Sequence, residues 1–420
     1  MNALPGGISS LIRRLPDLDG QAFKVARAKG AWIWDQQGNA YVDHALAMGA
    51  TILGHAHPEV VAACTRALED GPMPGFSHER EAEAAEALIG DAGTMTRATF
   101  VTTGSEAVHL ACRIARKTTG RSSIAKIAGG FDGWYDELAF GWSGSKEARY
   151  QGARPTQGSM TLVRYNDIDD LKRLFAENGD VAAVLVEPML ANAGSIRSTP
   201  EFNRALMELC RANGAMVISD EVLMGLRLKA GPSCFELGLR PDLITLGKAI
   251  GSGVPVAAVL GTTEAFAAIE DGRASRAGTY HGNPLVCAAV LATMQVLKEA
   301  DYAGFLARGD ALRAAIESVF RDVGVPTVSS GFGSVFSLWF GDTVPMDYEA
   351  AAKRADAELA LKLHLALRRR GVVTIPGAWA RIFVSFAHGA REFDQVAEAY
   401  RAVATELAPE IKTRMEEAHR

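Results

Sequence analysis

Two side chains in one stretch carry the clearest chemistry. Residues 215–227 read AMVISDEVLMGLR, and residues 241–256 read PDLITLGKAIGSGVPV. Asp220 and Glu221 end an apolar run, and α/β proteins gather their ligands just outside the carboxyl ends of such strands. Lys248 follows a second apolar run, Leu243 to Leu246, 28 positions after Asp220, and leads into a glycine-rich stretch. A lysine beside a buried strand is desolvated, which lowers its pKa and makes its amine nucleophilic. A nucleophilic amine and a carboxylate at paired strand ends suit pyridoxal phosphate: the amine forms a Schiff base, and the carboxylate holds the pyridinium proton. Taken singly, the lysine reads as a surface residue and the aspartate as a helix cap; the pairing carries the inference.

Gly104-Ser105-Glu106 falls between a short β run, Ala98 to Thr102, and a helical stretch from Ser105 to about Lys117. Backbone N–H groups and the Ser105 hydroxyl at such a helix N-terminus face an anion. By itself Ser105 would be read as an ordinary N-cap serine. His55 and His57 form an HxH pair, but Pro58 follows and no acidic or cysteine partner is near in the sequence. A structural turn is expected there, and no metal site anywhere.

The elements that must position these groups alternate along the middle of the chain. Val181 to Val186, Ala215 to Ser219, Leu243 to Leu246 and Val256 to Leu260 are apolar strand runs, and Glu201 to Arg211 is a helix. Short apolar strands separated by helices predict βαβ units and a mostly parallel sheet buried on both faces. Towards the N-terminus, Ala31 to Asp35 and Ala40 to Asp43 predict a hairpin, and Pro58 to Leu68 and Glu79 to Ile89 predict helices. After Asn283-Pro284 come two long helical stretches, Leu285 to Glu299 and Tyr302 to Phe320. Strands at Val335 to Phe340 and Arg381 to Phe386, with helices between and after, predict a smaller α+β domain.

Composition narrows the function classes. Of 420 residues, 48% are hydrophobic and 22% charged, and Lys plus Arg number 44 against 49 Asp plus Glu. That is globular composition without the basic surplus of a nucleic-acid binder. No apolar run reaches the ~18–20 residues that span a bilayer, and no signal peptide is visible, so no membrane association is expected. Five cysteines without CxxC spacing predict reduced thiols and a cytoplasmic location. Glycine is in excess, 42 of 420, and Gly104, Gly129, Gly130, Gly133, Gly247, Gly251, Gly253 and Gly278 fall within the candidate motifs.

The motifs also resemble a family. PGGISSLIR at the start, ILGHAHPEV (52–60), TTGSEAVHLACRIARKTTGR (102–121), VEPMLANAG (186–194), SDEVLMGLR (219–227), LGKAIGSGVPV and AGTYHGNP (277–284) follow one another in the order of the class III (subgroup II) aminotransferases. These are fold type I pyridoxal-phosphate enzymes, and the chain is most similar to their glutamate-1-semialdehyde 2,1-aminomutase and β-amino-acid transaminase branch. The resemblance implies a mostly parallel central sheet in a large cofactor domain, residues 53–300, with a small domain from both chain ends, 1–52 and 301–420. It implies Lys248 and Asp220 as the catalytic pair, and Gly104, Ser105, Glu106, Phe131, Val222 and Thr279 as cofactor contacts. Thr279 would reach the phosphate of the neighbouring subunit, making a homodimer the functional unit. Arg13, Met48, Asn192 and Arg381 would face the substrate, the two arginines as carboxylate readers.

Several positions depart from the family pattern. Phe131 stands where a tyrosine is usual, and Asp132 where histidine is common. Ala380 replaces the aminomutase glutamate, and Ala47-Met48 its Ser-Trp pair. Asn192 replaces the switch glutamate of ornithine- and GABA-type relatives. The resemblance so modified implies transfer of an amino group from a carboxylate-bearing donor, β-amino acids among the candidates, to a 2-oxo acid. An aminomutase, or a racemase or epimerase on the same scaffold, is the alternative; a non-catalytic homologue is disfavoured by Lys248, Asp220, Ser105 and Thr279 occurring together.

Overall fold

The computed structural model of the chain describes residues 3–145, 156, 157 and 159–418. Its centre is an eight-stranded sheet of β1 (Arg97–Val101), β2 (Ser123–Ile127), β3 (Thr156–Gln157), β4 (Met160–Val163), β5 (Val181–Val186), β6 (Met216–Glu221), β7 (Leu243–Leu246) and β8 (Ala257–Gly261). The spatial order is β1-β8-β7-β6-β5-β2-β4-β3. β5, β6 and β7 are buried along their whole length. Apolar residues on both sheet faces explain why these runs lack strict alternation.

The pairings β6–β7, β6–β5, β5–β2 and β2–β4 are parallel. β8 runs antiparallel to both β7 and β1, and β3 antiparallel to β4. The predicted βαβ character therefore holds for the sheet centre and not for β8. The physical reason is the short link from β7, which passes through the 3-10 turn Lys248–Gly251 and offers no crossover helix, as a parallel return requires.

Helix α1 (Gly104–Thr119) starts directly after β1 and buries Ala107, Val108, Ala111, Ile114 and Ala115. The two chain ends between them supply two of the remaining sheets. The N-terminal strands Trp32–Asp35 and Ala40–Asp43 form the predicted hairpin, and Val372–Val373 joins it parallel to Ala40–Asp43. Thr327–Phe332, Val335–Phe340 and Ile382–Phe383 make a third sheet, backed by the helices Tyr302–Asp322 and Ala390–Ala418.

The strand expected over residues 381–386 is only two residues long. Its backbone donors go to three different segments: Phe383 to His44 O, Val384 to Ser334 O and Phe386 to Ile52 O. No single neighbour can extend the ladder.

Candidate active site

β6 and β7 bring the two chemical groups together. Asp220 and Thr245 are register partners in this parallel pairing, and Lys248 begins the turn that leaves β7. Asp220 is 4% exposed. Its Oδ1 accepts the Val222 N–H at 2.9 Å and the Thr245 hydroxyl at 3.0 Å. Burial, and next the charge of Asp132, push the Asp220 carboxyl well above its ordinary range; the Val222 N–H and Lys248 pull it back.

Lys248 lies deep in the protein while keeping part of its surface open. Burial lowers its pKa, with Arg381 and Arg227 adding to the effect and Asp220 and Glu187 opposing it. Its backbone is left-handed at φ 45°. A non-glycine residue held there costs about 1–3 kcal/mol and occurs where the surrounding structure enforces it, commonly at functional sites.

Thr103, not Ser105, caps helix α1. The Thr103 hydroxyl accepts from the Glu106 N–H at 3.3 Å, and the Glu106 carboxylate accepts the Thr102 and Thr103 N–H groups at 3.0 and 2.8 Å. This is a complete capping box. Glu106 Oε2 thus serves the cap, and Gly104 and Ser105 are the first two helical residues. The position of Gly104 is sterically fixed: a Cβ there would lie 2.6 Å from Val222 Cγ1. Val222 also lies 3.2 Å from where a Cβ on Gly247 would be, so one side chain fills the space beside the helix start and the lysine turn. Gly133, at φ 127°, covers Ser105, and a Cβ on it would be 3.1 Å from Ser105 Oγ.

Phe131 keeps 36% of its surface exposed, and its N–H donates to Glu187 Oε1 at 3.0 Å. Asp132 has a partner that the sequence reading did not find. Lys126, 0% exposed in the middle of β2, places Nζ 2.8 Å from Asp132 Oδ2. The same ammonium donates to Gly130 O at 3.2 Å and Leu138 O at 2.7 Å.

Of the residues expected to face a substrate, Arg381 is buried and donates weakly to Ala191 O at 3.4 Å, while its Nε has no partner. Burial lowers its pKa to about 10, and Glu187 works against that shift. Asn192 lies in the adjoining 3-10 turn Ala191–Ala193. Met48 belongs to three successive left-handed residues, Leu46, Ala47 and Met48, with φ of 45°, 51° and 59°. Ala380 lines a cavity of about 880 Å³ together with Gly194, Ile375 and Ile382.

Arg13 closes the exposed turn Leu11–Arg13, and among the described residues no hydrogen bond or ion pair joins it to the Lys248 cluster. Thr279 is exposed, next to Tyr280, 63% exposed. His55 does have an acidic partner, Asp43 Oδ2 at 2.8 Å, brought in by the strand Ala40–Asp43. No group of three candidate metal ligands occurs among the described residues. Among them, too, no helix is long and apolar enough to cross a membrane.

A family model described as aminotransferase class-III matches residues 17–387. The chain belongs to the class III aminotransferases. It is 35% identical over 413 residues to glutamate-1-semialdehyde 2,1-aminomutase of Desulfitobacterium hafniense (strain Y51), with 96% of each chain covered. It is similar to the solved structure of an omega-transaminase from Sphaerobacter thermophilus, at 32% identity and TM-score 0.88, over 96% of this chain and 94% of that one. It is also similar to a beta-phenylalanine aminotransferase from Variovorax paradoxus, at 26% identity and TM-score 0.86, over 97% and 92%. The fold is thus that of the fold type I pyridoxal-phosphate enzymes, and the chain is a pyridoxal-phosphate-dependent aminotransferase of that family.

The residues present fit such a cofactor. Gly104 begins helix α1 against Val222, and Gly133 packs on Ser105; a phosphate suits the backbone N–H groups of such a helix N-terminus. Asp220 offers a buried carboxylate to a ring nitrogen, and Phe131 and Val222 supply apolar surface. Lys248 offers an amine that desolvation makes nucleophilic. Four groups escaped the sequence reading: Lys126, Glu187, Arg227 and Thr245. Glu187 follows an apolar strand just as Asp220 ends one, and that was its available signal.

Proposed function

We propose that this aminotransferase moves an amino group from a carboxylate-bearing donor to a 2-oxo acid, with Lys248 as the reacting amine and a β-amino acid as the first donor to test. The observation that supports this reading is the company of Lys248. A buried carboxylate, Asp220, lies on one side, and a buried guanidinium with an unpaired Nε, Arg381, lies close enough to depress the lysine. Pyridoxal phosphate, when bound, supplies an aldehyde that condenses with amines and a ring that accepts an electron pair from the substrate carbon.

The chain's residues do the rest. Lys248 holds and moves the proton between the substrate carbon and the cofactor carbon that bears the nitrogen. Asp220, steadied by Val222 N–H and Thr245, keeps the ring nitrogen protonated. Gly104, Ser105 and, from the neighbouring subunit of a homodimer, Thr279 hold the phosphate. Arg381, with Arg13 as a second reader, orients the substrate carboxylate, while Met48 and Asn192 bound the side-chain pocket. Residues 1–52 and 301–420 act as one small domain against the cofactor domain, 53–300.

The alternative is an aminomutase, in which amino and carbonyl groups exchange within one substrate. It is favoured by the names of the 35%-identical relatives and disfavoured by Ala380 at the glutamate position. The test is a panel of α-, β- and ω-amino donors with pyruvate and 2-oxoglutarate, run on wild type and Lys248→Ala. Acceptor-dependent transfer by wild type and its loss in the variant support the proposal. Turnover of a semialdehyde without an acceptor supports the aminomutase. No visible absorbance on the protein after incubation with cofactor and removal of the excess sinks both.

A further inference from the structure

Glu187 is a buried side chain with no role in the chemistry assigned above. It is 4% exposed and sits just past the end of β5. Its Oε1 accepts the Phe131 N–H at 3.0 Å and its Oε2 the Ala191 N–H at 3.4 Å. One carboxyl thus bridges the loop that carries the ring-contacting Phe131 and the loop that carries Asn192. Ala191 is also the residue whose carbonyl accepts from Arg381. Glu187's own carbonyl is fixed by the Tyr165 hydroxyl at 2.8 Å.

The Phe131 loop is anchored from its other side as well. Lys126 Nζ binds Gly130 O and pairs with Asp132. Gly130 separates the two carboxyls: a Cβ there would lie 3.1 Å from Asp132 Oδ2 and 3.4 Å from Glu187 Oε1.

We propose that Glu187 is a positioning residue for the amino transfer, holding the cofactor-contacting Phe131 loop and the substrate-side Ala191–Asn192 loop in fixed relation, with the Lys126–Asp132 pair as the anchor of the first loop. It rests on the pyridoxal-phosphate reading above. Burial, followed by the charges of Asp132 and Asp220, holds the Glu187 carboxyl well above the usual range. An amide has nearly the shape of a carboxyl but only one acceptor oxygen. Glutamine therefore keeps an acceptor for Phe131 and turns an N–H towards the Ala191 N–H, whereas alanine removes both acceptors.

The experiment compares wild type, Glu187→Gln, Glu187→Asp and Glu187→Ala. Pyridoxal phosphate is titrated into each apoprotein, and affinity, the circular dichroism of the bound cofactor, kcat and donor KM are read. Glu187→Gln, which keeps one of the two contacts, should fall about threefold from wild type, short of the alanine variant. Glu187→Ala should lose about tenfold or more in cofactor affinity and kcat, weaken the cofactor dichroism, and raise KM for carboxylate-bearing donors. Glu187→Asp, which keeps the carboxyl but withdraws it by one methylene, should fall with alanine and serves if the alanine variant does not fold. Alanine and aspartate variants that match wild type in affinity and dichroism overturn the proposal. So does a glutamine variant as damaged as alanine, since the retained Phe131 contact would then contribute nothing. Wild type that binds no cofactor overturns the underlying reading, a result distinct from either.

Discussion

Thr245 and Asp220 face each other as register partners on adjacent parallel strands, and the Thr245 hydroxyl donates to Asp220 Oδ1 at 3.0 Å. The donor is wholly buried, so water cannot replace it. A hydrogen bond to a charged acceptor is worth about 1.5–3 kcal/mol. Thr245→Val keeps the shape and removes the donor, which makes the carboxylate harder to keep ionised. The expected result is a kcat reduced roughly tenfold or more, with the melting temperature little changed. Steady-state kinetics with the best donor measures it, and an unaltered kcat refutes the role given to Thr245.

Gly104 gives a steric prediction. A Cβ at this position would meet Val222 Cγ1 at 2.6 Å, and Cγ2 at 3.0 Å. Valine is stiff about χ1 and cannot swing aside. Overpacking of this kind costs about 1–3 kcal/mol, here taken from the helix start that would hold the phosphate. Gly104→Ala should therefore weaken cofactor binding about tenfold, and the double variant with Val222→Ala should recover part of that loss. Cofactor titration of the two single variants and the double variant measures the coupling; independent effects would show that the contact is not what makes glycine necessary.

Much of this site was legible from residue order because its parts are local. Asp220 and Lys248 lie at the ends of apolar runs, and the runs themselves identify β6 and β7. What escaped depended on contacts between distant segments. The reversed direction of β8 is set by a short turn, and a hydrophobic run looks the same in either direction. Lys126 lies six residues from Asp132, but only the path of the Gly129–Gly133 loop brings them to 2.8 Å. Glu187 was inside a recognised motif, yet its role rests on Phe131, 56 positions away. The cap itself needs the structure: Thr103 and Ser105 are both capping types, and only the position of Glu106 as third helical residue selects Thr103.

The buried histidines predict an acid-side loss of stability. His364 is 1% exposed, and burial, followed by the charge of Arg368, lowers its pKa from 6.5 to about 4. Its folded value lies below its unfolded one, so its contribution is complete above pH 6.5 and is lost as the pH falls towards 4. The full effect is about 3 kcal/mol. Burial lowers His44 and His388 too, which adds loss in the same direction. Melting temperature measured against pH should fall through this window in wild type. In His364→Phe the fall should be shallower, and parallel curves would count against the assignment.

Arg381 supplies the test of substrate class. It is 5% exposed, its Nε is unpaired, and its one described hydrogen bond, to Ala191 O, is long at 3.4 Å. A buried guanidinium so weakly satisfied is unfavourable in the empty site and gains a charge-assisted bidentate partner when a carboxylate arrives. Truncating one member of such a pair costs about 2–5 kcal/mol, so Arg381→Gln should raise KM for carboxylate-bearing donors about a hundredfold. An amine of similar shape without the carboxylate should be affected little, or used slightly better, because the charge it would have to tolerate is gone. Arg381→Lys keeps the charge but not the planar fork and should fall between the two. Equal losses for both donor types would assign Arg381 to the architecture of the Ala191 loop instead. If only Arg13→Gln raised KM for the carboxylate donors, the N-terminal arginine would be the reader and Arg381 its support.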